Sequence, residues 1–139
     1  VSKGGLYSKE IAKDIANEYK DRLKIVTPTV DKVVYELSGG NQQKVVIAKW
    51  LALGCDLYIF DEPTRGIDIG AKAEIHALMD DLVRQGAGIL MISSELSEVV
   101  GLSDRVYVIK DGDQVADLAG DAITQEGIMR HAVGGTETK

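Results

Sequence analysis

Asp61 and Glu62 stand side by side, directly after the apolar run Leu57-Tyr58-Ile59-Phe60 and directly before Pro63-Thr64. A carboxylate at the end of a buried strand suits Mg²⁺, a hard ion that takes oxygen ligands and keeps several of its waters. Asp61 is the candidate ligand, and Glu62 is placed to polarise an attacking water as general base. The plainer account of the pair is a solvated turn closing a strand. A second candidate lies upstream, Ser38-Gly39-Gly40 within the run Leu37 to Lys44, LSGGNQQK. These glycines open an amphipathic stretch of helical period. A helix N-terminus offers unpaired N–H groups and the positive end of the macrodipole, which suits a phosphate. Glycine there lets the backbone approach the anion closely. The plainer account is a flexible link with Ser38 as an ordinary N-cap. Either tripeptide alone is a weak signal; the complete run, its helix, the apolar strand and the acidic pair together are specific.

Several elements must hold these residues. Residues 1–7 are glycine-rich and expected to be loose. Ile11, Ile15 and Tyr19, flanked by Ala12 and Ala16, recur at helical spacing, with Ser8 as N-cap and Glu10 in the first turn. Leu23 to Val26 reads as short and extended, and Pro28 breaks regular structure. The helix from about Gly40 to Leu53 presents Val45, Ala48 and Ala52 on one face, widened by Val46, Trp50 and Leu51, and Gly54 ends it. Leu57 to Phe60 reads as a strand covered on both faces, and Pro63 stops it at the acidic pair. From Gly70 to Arg84, Ala71, Ile75, Leu78, Met79 and Leu82 form an apolar stripe, with Lys72, His76, Asp80 and Arg84 on the wet side. A second apolar strand, Ile89 to Ile92, ends in Ser93-Ser94-Glu95. A short helix covers about Ser97 to Val100, and a strand runs from Arg105 to Ile109. Asp111-Gly112 signals a hairpin into Gln114 to Leu118. Thr124 caps a last helix to about Val133, followed by a tail expected to be disordered. Alternating strands and helices predict a parallel α/β sheet. Its ligands sit at the carboxyl ends of the strands, where Asp61, Glu62 and Ser94 fall.

Composition narrows the classes. The 139 residues make one domain or part of one, 45% apolar and 27% charged, with net charge −6. No basic patch stands out, which argues against nucleic acid as partner. The single cysteine, Cys55, excludes an internal disulfide and a multi-cysteine metal site; lying between a helix and a strand, it reads as a buried inert thiol. No apolar run is long enough to span a bilayer, and no signal peptide is visible. Both features fit a cytosolic chain. Val1 is not methionine, so the chain is expected to be a piece of something longer.

Taken together, these stretches look like the signature and Walker B segments of an ATP-binding cassette (ABC) ATPase. Leu37 to Lys44, Phe60 to Lys72, Ser93 to Leu96 and Leu102 to Arg105 closely resemble the second cassette of bacterial tandem ATPases. Those proteins energise import of monosaccharides such as ribose, galactose or xylose. The likeness covers roughly residue 6 to residue 134. It implies a truncated P-loop NTPase fold, an α/β parallel sheet with a C-terminal β-hairpin and helix. Residues 1–36 would belong to the helical subdomain, 37–54 to the signature helix, 55–120 to the rest of the ATPase core and 121–139 to a terminal helix and tail. By the same likeness, Ser38, Gly39, Gly40 and Asn41 bind the γ-phosphate of ATP held by the opposite cassette. Asp68 couples the two cassettes while also N-capping the helix near Gly70. Asp61 serves the Mg²⁺, and Glu62 and Ser94 serve hydrolysis. The implied partners are a second cassette, transmembrane permease subunits on the inner face of the cell membrane and, indirectly, a periplasmic sugar-binding protein.

Two departures matter. Most ABC ATPases carry a histidine where Ser94 stands. A serine hydrogen-bonds phosphate but offers no imidazolium charge, which weakens the case for strong hydrolysis at this chain's own site. His76 and His131 read as surface residues. The larger departure is that no G-x-x-x-x-G-K-[ST] occurs in the sequence. In the resembled fold the phosphate-loop strand lies between the strands at Ile89–Ile92 and Arg105–Ile109. A sheet interrupted there is expected to rearrange or to self-associate. The rival readings are a non-transport ABC ATPase and a non-catalytic interaction module.

Overall fold

The computed structural model describes residues 2, 3 and 6–134, in two compact units, residues 1–90 and 91–139. In the first unit, β1 (Ser2–Lys3) and β2 (Leu6–Tyr7) pair antiparallel, so part of the stretch expected to be loose is paired strand. Residues 1, 4 and 5 lie outside the described residues, as do 135–139 of the tail.

Helix α1 (Lys9–Arg22) starts where expected: Ser8 is its N-cap, and the Ile11 N–H donates to Ser8 Oγ at 3.4 Å. Its end is not followed by an extended segment. Leu23-Lys24 is a turn with Lys24 at φ 50, because two buried side chains, Leu23 and Ile25, must both turn inward within three residues. Tyr19 Oη donates to Leu51 C=O at 3.0 Å, tying α1 to the end of the next helix.

That helix, α2, spans Gly39–Leu51, after a 3₁₀ turn at Val34–Glu36. Its fully buried face is Gly40, Lys44, Ile47 and Leu51, not the expected Val45–Ala48–Ala52 face. Val45 and Ala48 are half-buried and line an apolar groove of about 260 Å³ shared with Ala12, Ile15 and Ala16 of α1. Val46 and Trp50 are exposed, Trp50 by 60%. Gly54, at φ 65, turns the chain out of the helix as expected.

Strand β3 (Leu57–Asp61), helix α3 (Ile69–Arg84) and strand β4 (Gly88–Ile92) form a β-α-β unit. The Gly88 N–H donates to Asp56 C=O at 2.8 Å, which sets the two strand starts side by side, so the strands run parallel. α3 buries Ala71, Ile75, Met79 and Leu82 of the stripe expected from the sequence, while Leu78 at its edge is half-buried. On its other side Asp80 and Arg84 are exposed, but Lys72 and His76 are half-buried. β3 is covered on one face only: Tyr58 is buried while Leu57 and Ile59 are 59% and 64% exposed. An apolar run reports which faces could be buried; strand alternation here leaves one of them open. Cys55, in the loop before β3, is exposed rather than buried, because its backbone N–H is held by Tyr58 Oη at 3.1 Å in a surface turn.

In the second unit, α4 (Leu96–Leu102) precedes the antiparallel hairpin of β5 (Arg105–Lys110) and β6 (Asp113–Ala119). Asp111 and Gly112 turn it at φ 53 and 93, the pair of positive φ values that a two-residue hairpin needs. α5 (Gln125–Val133) is capped by Thr124, whose Oγ1 accepts from the Gly127 N–H at 2.9 Å. Val106, Val108 and Ile128 are buried at its core, with Leu96, Val99 and Leu118 packed on them. β5 and β6 form a sheet of their own within this unit. No helix among the described residues is long and apolar enough to cross a membrane.

Candidate functional site

The start of α2 is an open donor cluster. Ser38 sits at the N-cap position with extended backbone, yet its side chain makes no capping hydrogen bond. Its Oγ instead accepts from Asn41 Nδ2 at 2.8 Å. The first intrahelical bond is Gln42 N–H to Ser38 C=O, 2.9 Å. The N–H groups of Gly39, Gly40 and Asn41 come before it and have no acceptor within the helix. Three donors without intrahelical acceptors and the positive end of the macrodipole therefore meet at an uncapped terminus, with Gly39 exposed, a geometry suited to an anion. Asn41 is less free than its neighbours, because its Oδ1 accepts from the Val26 N–H at 2.8 Å.

The two glycines differ. Gly39 is exposed, and a Cβ there would come no closer than 3.9 Å to Ile67 Cγ2. Gly40 is buried, and its Cβ would meet that of Ala71 at 2.7 Å, inside any real contact. Gly40 is thus required by the approach of α2 to α3, a role that the anion argument did not contain.

Asp68 N-caps α3: its Oδ1 accepts from the Ala71 N–H at 2.9 Å. Its Oδ2 lies 3.9 Å from where a Gly40 Cβ would be. The structure therefore brings Ser38–Asn41 and Asp68 together at one end of a helix pair.

Asp61 ends β3 with its side chain exposed. Glu62 follows, half-buried at φ 48, the left-handed region that a non-glycine residue adopts only under constraint. Pro63 and Thr64 behind it are among the most completely buried side chains, and the Arg65 N–H donates to Glu62 C=O at 3.2 Å. Buried Pro63 and Thr64 anchor a turn on which Asp61 is exposed and Glu62 half-buried. Among the described residues no three His, Cys, Asp or Glu gather into a metal cage. A single exposed carboxylate fits Mg²⁺, whose remaining ligands are water and phosphate oxygens, and does not fit a closed zinc-type site.

Ser94 lies exposed in the loop after β4, in the second unit. Its neighbour Ser93 braces that loop: Oγ donates to Glu98 Oε2 at 2.8 Å and accepts from the Glu95 N–H at 3.0 Å.

Two buried charged residues escaped the sequence reading. Glu98 is 5% exposed and carries no periodic signal. Lys44 is also 5% exposed; its position one turn after Gly40 was the available clue.

The model of the ABC transporter family matches residues 6–65. The chain is 53% identical over 124 residues to Ribose import ATP-binding protein RbsA of Hahella chejuensis, covering 89% of this chain and 25% of that protein. The corresponding protein of Roseobacter denitrificans is 50% identical over 120 residues, 86% of this chain and 24% of that one. That of Bacillus cereus is 47% identical over 135 residues, 97% and 27%. The chain spans about a quarter of the length of the curated relatives it matches. Among solved structures, a dimeric bacterial ABC transporter cassette superposes with TM-score 0.72 at 23% identity, covering 84% of this chain and 50% of that one. An ATP-binding cassette of another ABC transporter superposes with TM-score 0.74 at 24% identity, covering 93% and 52%; at these identities the likeness speaks for the fold alone. Family match, sequence relatives and fold all liken the chain to part of an ATP-binding cassette of the ABC transporter family.

Proposed function

We propose that this chain works in ATP-driven import of a simple sugar, its Ser38–Asn41 turn completing an ATP site held by a partner cassette. The observation that carries the reading is the uncapped start of α2, three N–H donors beside the Asp68 cap. The ribose-import names of its sequence relatives supply the substrate class. Phosphoryl transfer to water requires a phosphate cradle, a metal and a positioned water. Gly39, Gly40 and Asn41 donate to the γ-phosphate of the facing nucleotide. Asp61 would hold Mg²⁺, which would supply charge neutralisation for the phosphate. Glu62 orients the water and takes its proton, and Ser94 hydrogen-bonds phosphate. Asp68 couples the two cassettes, and permease subunits at the inner face of the membrane, served by a periplasmic binding protein, complete the importer.

No G-x-x-x-x-G-K-[ST] occurs in the sequence, so the chain has no phosphate loop of its own. Titration calorimetry of the chain with Mg-ATP is expected to show no micromolar binding; a micromolar site would overturn this division of labour. Within the importer, Glu62→Gln is expected to abolish sugar uptake. Unchanged uptake would favour the second reading, a non-catalytic interaction module, which Ser94 in the histidine's place supports. A non-transport ABC ATPase acting on nucleic acid fits poorly with a net charge of −6.

A further inference from the structure

Lys44 is a charged residue on the most buried face of α2, with its side chain 7% exposed. Its ammonium pairs with Glu74 of α3 and donates to Lys24 C=O at 3.3 Å. One turn earlier on α2, Gly40 meets Ala71, which lies one turn before Glu74 on α3. The two contacts are consecutive rungs between the same helices, the first made by shape and the second by charge. Beyond the first rung lie the Gly39–Asn41 donors and Asp68. Lys24 C=O, in the left-handed turn after α1, attaches a third element to the same ammonium.

We propose that Lys44 is a positioning residue: its pair with Glu74 holds the first turns of α2 and α3 in register, so that the donor turn and Asp68 form one preformed surface. Burial of an ion pair is weak evidence for stability, because well-packed apolar replacements are often neutral. What such a pair adds is one allowed alignment, where an apolar contact lets the helices slide. The functional half of this inference rests on the reading of Ser38–Asn41 as a cradle for the facing nucleotide.

The test has two arms. In the chain itself, with Cys55→Ser, nitroxides are attached at Lys49 and Ala77, both exposed. Pulsed electron resonance should give a narrow distance distribution for the parent and for Lys44→Arg. Lys44→Met and Glu74→Met should broaden it, while circular dichroism stays unchanged. Lys44→Met removes the buried charge and leaves only the half-exposed Glu74 unpaired, so it is the variant expected to fold even where Glu74→Met does not. In the importer, both Met variants should lower kcat about 10- to 100-fold with KM for ATP retained, the loss expected of displaced groups. Lys44→Arg should recover to within about fivefold. Gly39→Asp, which puts a carboxylate at the donor turn, should abolish turnover. An unbroadened distribution overturns the proposal. Broadening with normal kcat in the Met variants, while Gly39→Asp is dead, overturns the positioning role alone. Normal kcat in all of them, Gly39→Asp included, overturns the cradle reading and the proposal with it.

Discussion

Arg105 and Asp117 face each other across the β5–β6 hairpin, with Nε and Nη2 of the arginine 2.8 and 2.6 Å from the two carboxylate oxygens. The fork is bidentate, and the guanidinium also lies 5.1 Å from the Tyr107 ring. The hydrogen bond from Arg105, then its charge, holds the Asp117 carboxyl below the ordinary carboxylate range, and Arg105 is raised in return. A carboxylate depressed in the folded state stabilises above its unfolded value, about pH 3.9, and that contribution fades as pH falls through the lower folded value. Both groups are solvent-exposed, so the effect belongs to the titration rather than to a large stability term. Following the Asp117 side-chain carbon by NMR, its midpoint should lie below the ordinary range in the parent and return to it in Arg105→Gln; an unmoved midpoint would dismiss the pair as its cause. Asp31 behaves alike through its 2.6 Å bond from Lys13.

Between helices, the decisive contact is Gly40 against Ala71. A methyl group at 40 must push α2 off α3, so Gly40→Ala should destabilise the chain by about 1–3 kcal/mol in urea unfolding. Gly39→Ala, with 3.9 Å to its nearest neighbour, should stay within about 0.5 kcal/mol of the parent. Equal effects at the two positions would refute the packing argument. The same contact explains what was legible in the sequence. The stripe Ala71–Ile75–Met79–Leu82 was readable because every buried residue in it is apolar. The buried face of α2 was not, because half of it is a glycine and a lysine, whose burial depends on Ala71 and Glu74 far along the chain. Capping was legible throughout: Ser8, Asp68 and Thr124 accept local N–H groups by a rule of sequence spacing. Ser38 broke that rule by turning its oxygen to Asn41, and a break at the phosphate-binding candidate is where local rules are expected to fail.

At the scale of the whole chain, open apolar surface stands out. Trp50, Leu57 and Ile59 are each about three-fifths exposed and line one groove of about 410 Å³ in the first unit. Apolar patches of this kind beside a strand invite association. Sedimentation should show a concentration-dependent shift to dimers or larger species, with blue-shifted emission from Trp50, the single tryptophan. Ile59→Lys should suppress both, and a concentration-independent monomer with unshifted emission would count against the idea. The fold class and the elements from α2 onward could be read from the chain because periodicity is local; the β1–β2 pair and the turn at Leu23-Lys24 could not. The antiparallel pairing of β5 with β6 was legible too, because Asp111-Gly112 signals the turn between them. The acidic turn and the glycine turn were legible as motifs. The left-handed backbone of Glu62 was not, since glutamate carries no signal for it.

That backbone bears on how position 62 would change over generations. At φ 48, Gly or Asn is the more comfortable occupant, with Glu62→Gly expected to raise unfolding stability by up to about 1 kcal/mol. A library of this chain selected only for heat tolerance should therefore lose its glutamate at 62 early. One selected through the proposed sugar uptake should keep it. The ratio of glutamate retention between the two populations would measure, without any assay of the chemistry, what the cell spends stability to preserve.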